Sequence, residues 1–150
     1  KLVDTENYHD AVTMLAHALP KREAIWWARL CTIKSMDKTI ELENAAIAAT
    51  ELWVKEPNEA NWQSVKKVSE QAKNKTAAGW LSTAASWCMG SMSDTEGIEV
   101  PPPDFLYAHA VAASITLAAV AAAPEKIAEN YQLFIRMGFD LAAGGSGQIE

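Results

Sequence analysis

The sequence predicts an all-α fold, a single-domain bundle of about seven helices with two charge-free helices at its centre. Three observations carry that prediction. Apolar residues recur at helical spacing through almost the whole chain, broken only by Pro, Asn, Asp and Gly at the intervals expected of helix ends. The composition is 49% hydrophobic but only 8% aromatic, with Ala prominent, which suits helices whose backbones approach closely. Two long stretches, Thr76 to Ser93 and Phe105 to Ala123, contain no Asp, Glu, Lys or Arg. At 150 residues one compact fold buries roughly 68 to 70% of its unfolded surface, enough for a core without staples.

The first helix, about 5 to 18, opens at Asp4 or Thr5 and carries Tyr8, Ala11, Val12 and Leu15 on one face. Pro20 then opens the second, which runs to about Ser35; a first helical position costs proline nothing, because its missing N–H has no partner there. Its wide apolar arc predicts that Trp26 and Trp27 are both buried. Asp37 caps a third helix reaching about Glu56, with Leu42, Ala45, Ala46, Ala49, Leu52 and Trp53 as its inward stripe. On its far side Ile40, Ile47 and Val54 repeat every seven residues, so that face is either sandwiched inside the domain or meets another protein.

Pro57 and Asn58 start a fourth, more polar helix to about Lys73, with Trp62 and Val65 inward and Lys66, Lys67 and Lys73 outward. The fifth is the charge-free stretch from Thr76 to Ser93, with Trp80, Ala84, Trp87, Cys88 and Met92 on its apolar arc. An acidic, proline-rich loop follows, expected to be a mobile surface segment tied to the core only by Ile98 and Val100. The sixth helix, Phe105 to Ala123, is long enough to span a bilayer, but its Ala, Ser114, Thr116 and His109, flanked by Asp104 and Glu125, favour a buried core helix instead. Pro124 begins the seventh, and Gly144, Gly145 and Gly147 end it, which divides the chain into a domain at 1–143 and a flexible tail at 144–150.

Charge narrows the classes of partner. Residues 1–75 hold eleven Lys and Arg against eleven Asp and Glu, and residues 76–150 hold two against eight. With no basic stripe to meet a phosphate backbone, nucleic acid is not an expected partner. Cys31 and Cys88, 57 positions apart in apolar patterns, read as two buried thiols of a reducing compartment, and a cytoplasmic location is expected.

The stretch from Leu19 to Ala28, LPKREAIWWA, is the most distinctive. Lys21 and Arg22 oppose the dipole of the helix they open, so with the free N–H groups there they form a candidate anion site. Glu23 projects between the two Trp residues, where partial desolvation suits an acid–base group and proximity to the helix start suits a plain dipole contact. Lys21, Arg22, Glu23 and Arg29 are therefore the candidates for anion or partner binding, and Ile40, Ile47 and Val54 those for an interface. No catalytic residue, metal site or cofactor is expected, since neither a ligand cluster at metal spacing nor a phosphate loop or nucleophile elbow occurs.

LPKREAIWWARLC, together with GWLSTAASWCMG and PEKIAENYQLFIRMG, resembles a family of small bacterial proteins of unknown function. Such proteins are similar to accessory factors of bacterial secretion systems, so the resemblance implies a bacterial origin and a helical fold, with no catalytic residues to carry over. The expected function is a non-enzymatic module that binds another protein as an adaptor, chaperone or regulator, with a homo-oligomer compatible with the same surfaces. The alternative is a helical domain that binds a small molecule or lipid, or an enzyme, with a pocket near Glu23, Trp26 and Trp27.

Overall fold

A computed structural model describes residues 7–35, 39–121 and 123–148. Among the described residues it is an all-α bundle of seven helices: α1 (Tyr8–Ala18), α2 (Lys21–Ser35), α3 (Glu41–Lys55), α4 (Glu59–Ala72), α5 (Ala77–Ser86), α6 (Leu106–Val120) and α7 (Ile127–Ala142). The cap expected at Asp37 and the opening expected at Asp4 or Thr5 lie outside the described residues. Asn58 does cap α4, accepting from the Asn61 amide at 2.8 Å, and Thr76 caps α5 by accepting from Gly79 at 3.0 Å. Pro124 opens a short 3₁₀ turn, Pro124–Lys126, before α7 begins.

The charge-free helices sit at the centre. α5 packs along α6, and between them they touch every other helix of the bundle. Eight of the ten α5 residues are buried, most of them Ala, Ser, Thr or Gly. Small side chains let the backbones approach closely, and the buried hydroxyls satisfy themselves locally: Ser82 donates to the Gly79 carbonyl at 2.8 Å and Ser86 to Thr83 at 2.7 Å. Ser114 of α6 donates to the Ala77 carbonyl of α5 at 2.8 Å and lies 3.2 Å from Thr32 of α2, which joins three helices at one polar point. No helix among the described residues is long and apolar enough to cross a membrane.

Three expectations differ from the structure. α5 ends at Ser86 rather than near Ser93, so Met92, expected on its apolar arc, is exposed in the loop that follows. That loop is held by polar bonds instead of apolar pins. Lys66 pairs with Asp94 at 2.9 Å, the Met92 amide donates to the Val100 carbonyl at 2.7 Å, and Ile98 and Val100 face solvent. Beyond α7 the chain folds back on that helix: Gly145 donates to the Asp140 carbonyl at 2.8 Å, and Gly147 to the Asp140 carboxylate at 2.9 Å. Gly147 has φ +77°, and a Cβ there would press on Leu141 and Leu30, so only glycine fits.

The third difference lies in α3. Its buried face is Ala46, Ala49, Thr50 and Trp53, while Leu42, Ala45 and Leu52 of the expected inward stripe are exposed. Ile40, Ile47 and Val54 form no single seam: Ile40 is 44% exposed, whereas Ile47 and Val54 are half-buried against the core. The helix packs between α4 and α5 through this face, which leaves aliphatic side chains on both flanks. Ile47→Glu is therefore expected to cost roughly 1–3 kcal/mol by pushing a carboxylate against the core. Ile40→Glu should stay within about 0.5 kcal/mol of wild type. Urea unfolding followed by circular dichroism checks the pair, and equal losses would contradict the placement.

Candidate functional site

The LPKREAIWWA stretch folds into a sharp corner. α1 ends at Leu19 in extended backbone, and the Ala24 amide donates to the Pro20 carbonyl at 2.8 Å to start α2. The corner brings the first turn of α2 against the C-terminal ends of α3 and α5. There Arg22 donates through Nε to the Val54 carbonyl at 2.9 Å, and through Nη2 to Val54 and Lys55. Lys21 donates to the Cys88 carbonyl at 3.3 Å and lies 5.8 Å from the Tyr107 ring centre. Two cations that oppose their own helix dipole thus serve the negative end of a neighbour. The structure directs both at carbonyl oxygens, which carry no net charge, while the two side chains remain exposed.

Beside that turn lies a cavity of about 750 Å³, open along one side. Trp26, Trp53, Val54, Met89, Pro20 and Pro57 give it apolar walls, with Lys21, Arg22 and Glu23 along its edge. Its volume falls within the range of ligand sites, roughly 300–1,000 Å³. Trp53 is nearly fully buried, its indole N–H on the Met89 sulfur at 3.3 Å, so it forms the floor. Trp26 is half-buried and is the wall. It is held from outside the cavity by the Arg29 guanidinium, 4.5 Å from its ring centre, and its indole N–H donates to the Ser146 carbonyl of the folded-back tail at 3.3 Å.

The two adjacent tryptophans therefore part company. Trp27 is fully buried on the opposite side, donates to the Phe134 carbonyl of α7 at 2.7 Å, and packs against Gly138, where an added Cβ would lie 2.9 Å from its ring. It does not line the cavity, which corrects the expectation that both rings are buried and that a pocket involves both. Of the expected interface residues, Val54 alone lines the groove.

Arg29 does not line the groove but braces it, pairing with Glu51 at 2.8 Å, and Lys55 reaches the other Glu51 oxygen at 2.8 Å. The Lys55 hydrogen bond, then that from Arg29 and the two nearby charges, outweigh burial and hold the Glu51 carboxyl below its ordinary value of 4.5. Burial pushes the Cys88 thiol, at the groove edge, up to about 12 and the Cys31 thiol well above its ordinary value. Neither is a thiolate nucleophile near neutral pH.

The helix packing also assembles a group invisible at the level of sequence spacing. His17 of α1 lies edge-on to His109 of α6 with ring centres 5.1 Å apart, and Phe105 stacks on His17 at 5.7 Å. Phe105 is exposed and holds a left-handed backbone, φ +63°, at the start of α6. Among the described residues no group of three or more His, Cys, Asp or Glu is placed to hold a metal ion.

An all-α bundle with an aromatic-walled groove at one helix corner is the class that fold and site define. The chain belongs to a family of unknown function, DUF6931, whose family model matches residues 1–142. No curated protein and no solved structure matches it.

The split between the two rings and the Glu51 network are each open to measurement. Trp27→Ala should cost about 3–5 kcal/mol, whereas Trp26→Ala should cost roughly 1–2 kcal/mol for a ring half in solvent; denaturant unfolding separates them, and equal costs would contradict the split. Glu51 has a folded pKa below its unfolded one, so its contribution is present above pH 4.5 and fades as pH falls through the lower folded value. The melting temperatures of wild type and Glu51→Gln should accordingly converge on acidification, and a gap constant with pH would refute the linkage.

Proposed function

We propose that the protein is a non-enzymatic binding module, an adaptor, chaperone or regulator, that receives an apolar anchor of another polypeptide in the Trp26 groove. One observation carries this reading: a cavity of about 750 Å³, walled by Trp26, Val54 and Met89, that is open along one side. A small ligand generally has most of its surface covered by its site. A cavity this open to solvent covers one face of its occupant, which suits a segment whose other face remains with its own protein. Trp supplies large rigid contact area of the kind that dominates binding energy at interfaces.

The chemistry around the groove supports binding over turnover. The cations at its edge are engaged with carbonyl oxygens, and the Cys88 thiol is held protonated. The buried thiols suit a cytoplasmic setting, and an accessory role in a bacterial secretion system is one context for such a module.

The cavity volume favours a second reading, a site for a small apolar molecule. A photo-crosslinking amino acid in place of exposed Pro57, used in cells that make the protein naturally, separates the two. The expected product is an adduct with a polypeptide, reduced at least about tenfold by Trp26→Ala, as loss of one aromatic anchor implies. An adduct of small-molecule mass, or no adduct, would overturn the protein-binding reading.

A further inference from the structure

The loop after α5 is itself built like an occupant for such a groove. Ile98 and Val100, which the sequence pattern predicts will pin it to the core, are 55% and 45% exposed. They precede Pro101, Pro102 and Pro103, whose fixed φ, with the restriction on the residue before a proline, holds this stretch extended at little further entropic cost. Extended proline-rich segments dock on aromatic-lined grooves, and the Trp26 groove has Trp, Met and Pro walls.

The charges agree. Between Ser93 and Asp104 the loop carries Asp94, Glu96, Glu99 and Asp104 and no cation. The groove edge carries Lys21 and Arg22 against the single acid Glu23. The Val100 amide and carbonyl are already bonded within the loop, to the Ser91 hydroxyl at 2.8 Å and the Met92 amide at 2.7 Å. Docking would therefore use side chains and not strand addition. Within one chain the loop is tied over α4 by the Lys66–Asp94 pair and does not line the groove.

We infer that the occupant is a second copy of this chain: Ile98, Val100 and the prolines of one protomer seat in the Trp26 groove of another, with the loop acids facing Lys21 and Arg22. The inference rests on the groove being a polypeptide site, as proposed above. Reciprocal exchange of the two loops would close a twofold pair.

Sedimentation of the full-length chain over a range of concentrations tests it, alongside the double variant Ile98→Asp/Val100→Asp, whose changes lie at exposed positions. The expected result is a mass above that of the monomer that falls on dilution, and self-association at least about tenfold weaker in the variant, as loss of anchor residues implies, with an unchanged thermal melt. A peptide of residues 93–104 added to the variant should shift the Trp26 indole N–H resonance, and the same peptide with Glu99→Lys and Asp104→Lys should bind at least about tenfold more weakly. A wild-type chain that stays monomeric, a variant that associates as before, or a peptide that leaves Trp26 unperturbed would each overturn the inference. A monomeric chain that still crosslinks a foreign polypeptide through position 57 overturns self-docking alone. Absence of any polypeptide adduct, from a second copy or another protein, removes the groove reading with it.

Discussion

Close packing of α5 on α6 is the constraint on which the rest of the bundle depends. Neither helix carries a charge, and their buried faces are mostly Ala, Ser and Thr, so their backbones approach more closely than large side chains would allow. Hydroxyls inside such a pair are tolerable only when satisfied. Ser82, Ser86 and Thr32 bond back to their own helices, and Ser114 crosses to the Ala77 carbonyl at the start of α5. That crossing bond fixes the register of α6 against α5, and the Thr32 contact sets α2 against both.

From that centre the groove is built up by steps. α2 is placed by α6, and its first turn is brought to the ends of α3 and α5, where Arg22 and Lys21 take up carbonyl groups that helix termini leave unbonded. The corner leaves a gap between Pro20 and Pro57 that no large side chain fills, and Trp26 forms its wall. The Arg29–Glu51–Lys55 network and the folded-back tail hold the wall from outside the cavity. The supports of that wall thus come from α2, α3 and the folded-back tail.

The all-α class and the central place of the charge-free helices were legible in the sequence, because absence of charge over such lengths leaves burial as the favourable placement. Proline and cap residues marked where α2 and α4 begin, since these act within a few residues of themselves. The groove was half legible. The unusual LPKREAIWWA pattern pointed to the right corner, and Lys21, Arg22, Glu23 and Trp26 all line it. Met89, Trp53 and Pro57 were missed as its other walls, because they come from distant parts of the chain and carry no local signal. The His17–His109–Phe105 group was missed for the same reason.

Local rules and charge were enough for the sequence by itself to determine helical periodicity, helix starts, two uncharged helices that belong inside, and two cations out of keeping with their own helix. Only the tertiary structure decided which face each helix turns inward. On α3 the buried arc passes between two flanks that both carry aliphatic side chains, and packing against α4 and α5 decided which arc is covered. On α2 two identical side chains one position apart diverge by about 100° around the helix. Trp27 meets α7 and enters the core, while Trp26, half-buried against the edge of that core, meets a guanidinium, the tail and an open groove. Nothing in either residue's own neighbourhood separates them, because the difference lies in which helices stand opposite.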